Sequence, residues 1–357
     1  MFKPGRLELA RMRRRYTARI LAEEAGVSPV TLSRVENGKQ EPDEETITKL
    51  IRVLKYPREF FFMPDIDGID VNAASFRSLT AMSARERDAA LASGVLAQEL
   101  ADWISARFNL PTPDLPDLGY QNDAGAAARS VRQNWSVGEK PIGHLIKLLE
   151  TKGVRVFSLA ENTRNVDAFS YWRNGEPFMF LNSIKSAERS RFDAAHELGH
   201  LVLHRHGGPQ GREAEHQANL FASSFLMPKA DVEARIPYVT SLSDLVETKR
   251  RWGVSLSAIV YRLHKINRIT DWQYRSYCIQ IERDYGNKEP NGLSRERSAI
   301  WQMVLTELWK EGITRHHIAD QLHLPRDEVD TLLFGLTGDS APPSEGPRLP
   351  LRMIKLA

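Results

Sequence analysis

The stretch Phe192-Asp193-Ala194-Ala195-His196-Glu197-Leu198-Gly199-His200-Leu201-Val202-Leu203-His204 constrains the fold more than any other part of the chain. Histidines four apart project from one face of a helix, about one turn from each other. Neutral imidazoles so placed can share one Zn²⁺, and Glu197 between them can take a proton from water at that metal. The apolar Phe192, Leu198, Leu201, Val202 and Leu203 around them argue against a surface helix with two solvated histidines.

A catalytic zinc has three protein ligands plus water. The next helix offers Glu215, with Asn219 four residues on and on the same face. His204 lies near the face of His196, two turns away, and is a second candidate ligand or a hydrogen-bond donor to the transition state. His206 and His216 are weaker candidates.

The residues before this helix have strand texture. Val154 to Phe157 alternates as a strand. Ala168 to Trp172, Asn174-Gly175 and Pro177 to Leu181 read as a hairpin. The strand Pro177 to Leu181 is expected to pair an extended substrate by strand addition. Tyr171 is a candidate oxyanion donor, though hairpin packing is the favoured role.

Residues 153–229 resemble the ImmA/IrrE metallopeptidase family. The resemblance rests on Ala195 to His204, on Glu215-His216-Gln217-Ala218-Asn219-Leu220-Phe221-Ala222, and on Phe225-Leu226-Met227-Pro228. It implies that His196, His200 and Glu215 ligate zinc and that Glu197 is the general base. Members of the family are linked to cleavage of helix-turn-helix repressors. Mn²⁺ or another divalent ion also suits two histidines and a carboxylate.

The other informative end is the N-terminus. Four short helices are expected over residues 7–14, 17–25, 28–36 and 43–54, with N-caps at Thr17, Ser28 and Asp43 and Pro29 at a first helical position. Gly26 marks a tight turn between the second and third. Leu21, Ala22, Val27, Leu32 and Val35 supply a core and leave Ser28, Thr31, Ser33 and Arg34 outside. A helix so placed lays its N-terminal residues into the major groove. Thr31, Ser33 and Arg34 are the base-reading candidates, and Arg13, Arg14, Arg15, Arg19 and Lys39 the phosphate contacts. Residues 6–63 resemble the Xre/Cro-type helix-turn-helix family through Ser33-Arg34-Val35-Glu36-Asn37-Gly38-Lys39 and Glu41-Pro42. Ala18 stands where that family often has Gln, and Arg19 is the expected substitute.

The chain is 357 residues long with a net charge of +3, so any basic surface must be local. Its one cysteine, Cys278, excludes an internal disulfide and is expected to be a small buried residue. No apolar run of membrane-spanning length and no signal peptide are read, and a cytoplasmic location is expected.

The fold class expected is mainly α with a small β-sheet (α+β): an N-terminal helix-turn-helix bundle, a zincin-like domain and C-terminal helices. The expected segments are 1–65 for DNA binding, 66–152 as a helical scaffold, 153–240 for the metal domain, 241–337 as further helices and 338–357 as a mobile tail. Residues 313–336 also read as helix–turn–helix, more in keeping with a packing or dimer element than a second DNA reader.

The function expected is transcriptional regulation. The chain would bind an operator in double-stranded DNA as a homodimer, and its zinc domain would sense or cleave a protein partner. The rival readings are a catalytically silent zinc domain acting as sensor or scaffold, and an antitoxin-like regulator of a toxin–antitoxin or phage-defence pair.

Overall fold

The computed structural model describes residues 1–69, 83–159, 168–206, 211–286 and 288–337; the expected mobile tail lies outside them. The chain packs as two units. One comprises Met1–Leu110, Phe157–Val166 and Ile300–Ala357, the other Pro111–Val156 and Asp167–Ala299. The described residues are mainly helical with one small sheet, as expected. No described helix is long and apolar enough to cross a membrane.

The first unit opens with α1 (Pro4–Arg13), α2 (Ala18–Ala25), α3 (Pro29–Glu36) and α4 (Glu44–Leu54). Each expected cap is made: Thr17 Oγ1 accepts from Ile20 N, Ser28 Oγ from Thr31 N and Asp43 Oδ1 from Thr46 N. Gly26 ends α2 in the left-handed region at φ 62°, which places α3 across the turn. Leu21, Ala22, Leu32 and Val35 are buried between the two helices. Phe60 and Phe61, after α4, are buried, with Phe61 stacked on Phe2. Helix α5 (Ala84–Ser105) packs on α1, and the buried Arg6 guanidinium ties them by donating to both oxygens of Glu99. The unit also holds α14 (Ala299–Lys310), α15 (Arg315–Gln321) and α16 (Arg326–Leu333). Buried Glu328 of α16 accepts hydrogen bonds from Arg13 Nε and Tyr56 Oη. The segment 313–336 is therefore used for packing within its own unit.

The second unit contains α6 (Ala124–Asn134), α7 (Leu145–Thr151), β1 (Arg155–Ser158) for its first two residues, β2 (Ala168–Arg173), β3 (Glu176–Leu181), α8 (Ala187–Leu203), α9 (Arg212–Leu226), α10 (Lys229–Arg235), α11 (Leu242–Thr248), α12 (Leu256–Lys265) and α13 (Asp271–Asp284). Strands β2 and β3 form the expected hairpin. Asn174 and Gly175 both take positive φ, 50° and 81°, as a two-residue turn of this hand requires.

The strand order is β1-β3-β2. This corrects the expectation that Pro177 to Leu181 pairs a substrate: β3 is central, with a hydrogen-bonded strand on each side. Among the described strands β2 is an edge of the sheet.

Period-two alternation gives β2 two different faces. Phe169 and Tyr171 stack with Phe178 and Phe180 on one side. Ser170 and Trp172 turn the other way and hydrogen-bond residues of α8. Tyr171 is thus a buried member of the aromatic face, in the packing role favoured for it.

Cys278 is exposed, which corrects the expectation of burial. Helix α13 buries one stripe, Tyr277 and Ile281, and a residue one position from Tyr277 is turned about 100° away from it.

Candidate metal centre

Helix α8 is capped by Ser186, whose Oγ accepts from Arg189 N, and is buried for most of its length. Its neighbour α9 packs directly over Gly199. A Cβ there would stand 3.1 Å from Phe221 and 3.3 Å from the Ala218 backbone. The glycine inside the His-Glu-Leu-Gly-His run therefore lets the two backbones pack together. That contact carries Glu215, at the start of α9, to the imidazoles of α8.

The three side chains converge. His196 Nε2 and His200 Nε2 lie 3.1 Å apart, and each lies 3.4 Å from a different oxygen of Glu215. Donors around a tetrahedral Zn²⁺, with arms of 2.0–2.1 Å, are separated by about 3.3 Å. The set therefore fits a small divalent ion. Among the described residues it is the one His/Cys/Asp/Glu cluster with such geometry. Burial alone would raise the Glu215 pKa, but hydrogen bonds and charge from His196 and His200 outweigh it and bring it to about 2. Glu215 is thus an anion at any pH where the imidazoles are free to bind metal.

Glu197 is buried, and its Oε2 accepts a 2.7 Å hydrogen bond from Ser170 Oγ on β2. The sequence reading missed Ser170. The only signal available was its place in the alternation, opposite in sense to Phe169 and Tyr171.

Further polar residues surround the imidazoles. His196 Nδ1 lies 3.2 Å from Asn219 Oδ1. His200 Nδ1 lies 2.9 Å from His204 Nδ1, and His204 Nε2 lies 3.0 Å from Gln217 Oε1. Burial pushes the His204 pKa below its ordinary value, against the opposing effect of the Gln217 bond. Both His204 ring nitrogens are engaged, so ligation of the ion or donation to a transition state would require breaking one of these bonds. His206 pairs with Asp117 at 2.9 Å, and His216 is exposed.

In the helix-turn-helix, Ser33, Arg34 and Lys39 are exposed along α3 and the turn after it. The side chains of Arg34 and Lys39 make no hydrogen bond or ion pair among the described residues. Ser28 caps α3, and its hydroxyl lies 2.7 Å from that of half-buried Thr31. Exposed Arg19 pairs with Glu23 one turn on. Arg13 and Arg14 are placed differently from expectation. Arg13 donates to Glu328, while Arg14 pairs with Asp327 and Glu328, donates to Leu54 O and covers the Tyr56 ring. A phosphate contact by either would require giving up these ion pairs. Among the described residues, Arg34 and Lys39 thus keep exposed cationic side chains clear of the ion pairs that hold Arg13 and Arg14.

Residues 149–264 match the family model described as IrrE N-terminal-like domain, a peptidase family, and residues 7–61 match the model described as helix-turn-helix. No curated protein matches the chain. The chain thus joins an Xre-type helix-turn-helix to an IrrE/ImmA-like domain, the fusion expected from its motifs.

Proposed function

We propose that this protein is a DNA-binding transcriptional regulator whose metal domain is a zinc-dependent endopeptidase acting on a regulatory protein. The observation that carries the reading is the convergence of His196, His200 and Glu215 at 3.1–3.4 Å beside Glu197. His196, His200 and Glu215 would hold the ion. When bound, Zn²⁺ supplies Lewis acidity toward a scissile carbonyl and lowers the pKa of water toward about 7. Glu197 takes the proton of the attacking water and returns it to the leaving amine. Ser170 holds the carboxylate in place for both transfers. An extended substrate pairs with β2, the edge strand that carries Ser170. Arg34 and Ser33 read bases while Lys39 and Arg19 contact phosphate. Function as a homodimer on a palindromic operator, in the cytoplasm, belongs to this proposal.

The test begins with metal content. The purified chain is expected to hold about one zinc, and Glu215→Ala is expected to lose it. Glu197→Gln should then keep zinc and abolish cleavage of the partner. Burial of Glu197 favours a second reading, in which the ion is structural and the domain senses or scaffolds a partner. In that case Glu197→Gln leaves both zinc and regulation intact.

A further inference from the structure

Metal-bound imidazoles are usually oriented by a partner on the ring nitrogen that faces away from the ion. His196 has Asn219 in that position, 3.2 Å from its Nδ1. His200 has another histidine. Its Nδ1 faces His204 Nδ1 at 2.9 Å, and the far nitrogen of His204 faces Gln217 Oε1 at 3.0 Å.

The protons along this chain can be assigned from one end. Gln217 Oε1 is an acceptor, so His204 Nε2 must carry the proton it donates. A neutral His204 then has a bare Nδ1, which accepts. His200 Nδ1 is therefore the donor, and His200 Nε2 keeps its lone pair directed at His196 and Glu215. The sequence of bonds forces the one tautomer of His200 that can ligate an ion through Nε2.

Helix α9 thus serves the centre three times within five residues. Glu215 would be a ligand, Gln217 ends the His204 chain, and Asn219 holds His196. Residues 215, 217 and 219 do not all share a face of a helix, and His204, the C-cap of α8 four residues after His200, bridges the gap to Gln217.

We infer that His204 and Gln217 form a two-residue relay that fixes the tautomer and orientation of His200 for metal binding. His204 is then a positioning residue and not a catalytic one. The inference rests on the reading of His196, His200 and Glu215 as ligands.

Zinc affinity of the full-length chain, measured by competition with a chromophoric chelator, tests it. His204→Phe keeps the ring volume but removes the acceptor, and Gln217→Leu removes the end of the relay. Each is expected to weaken zinc by about 10–100-fold, the range found for such outer partners. His204→Asn sets an amide oxygen near the former Nδ1 and should recover most of the loss. Histidine-selective ¹⁵N NMR of the zinc-loaded wild type supplies a reading that needs no variant: His204 neutral, with the proton on Nε2.

Wild-type affinity in His204→Phe, or a proton on His204 Nδ1, would overturn the relay and leave the metal centre standing. If the wild type binds no more zinc than Glu215→Ala, the metal centre itself fails and the relay with it.

Discussion

Arg13 Nε donates to Glu328 Oε2 at 2.8 Å across 315 positions of sequence. The carboxylate is almost completely buried, and it also accepts from Tyr56 Oη and lies 3.3 Å from Arg14. One acid on α16 thus holds the end of α1 and the segment after α4 within a single unit. Glu328→Ala would remove the carboxylate that accepts from Arg13 and Tyr56 and lies beside Arg14. The expected cost is about 3 kcal/mol, at the lower end for breaking a buried pair because Arg13 keeps some contact with water. Chemical denaturation followed by circular dichroism measures it. A change within experimental error would show that the pair is dispensable.

The same ion pairs separate Arg13 from the exposed cation Lys39. Lys39→Ala is expected to weaken binding to a random-sequence duplex and to reduce the salt slope of log K by about 1. Arg13→Ala should leave that slope unchanged, because its charge is already neutralised within the chain. Fluorescence anisotropy across a salt series distinguishes them. A lower slope in Arg13→Ala would restore it to the DNA surface.

Ser170→Ala removes a donor from a buried carboxylate. The loss expected is about 1–3 kcal/mol of stability in the metal-free chain, since a charged acceptor is left short of a partner. Thermal unfolding beside Ser170→Thr, which retains the hydroxyl, measures it. Equal stability of Ala and Thr variants would mean that Ser170 does not hold Glu197.

Glu215 sets a pH signature. Its pKa of about 2 lies below the ordinary carboxylate value of 4.5. A depressed carboxylate contributes stability that is complete above its unfolded pKa and is lost as pH falls through the folded one. Acid titration of the metal-free chain should therefore lose a component of stability between pH 4.5 and about 2. Glu215→Gln should lack that component. Parallel acid limbs in both proteins would contradict the interaction with the two imidazoles.

Local features were legible from the sequence because they are encoded within a turn of chain. Thr17, Ser28 and Asp43 cap helices three residues away, and Asn174-Gly175 makes a turn whose backbone few other residues adopt. The four-residue spacing of His196 and His200 determines their common face before any tertiary contact exists. The glycine at 199 was present in the same motif, but its meaning depends on how near α9 comes.

Where inference failed, the deciding contact was distant. The central position of β3 follows from β1 pairing on its far side, which alternation inside a hairpin does not report. Exposure of Cys278 follows from which stripe of α13 meets a neighbour.

By itself the sequence determined the two domain types, the helices that carry them and the residues able to bind a metal, because spacing and capping act along the chain. Only tertiary structure decided that Ser170 holds Glu197, that His204 bridges His200 to Gln217 and that Glu328 occupies Arg13. Each of these is a hydrogen bond whose partners are chosen by packing, when buried polar groups must find whichever donor or acceptor the fold brings beside them.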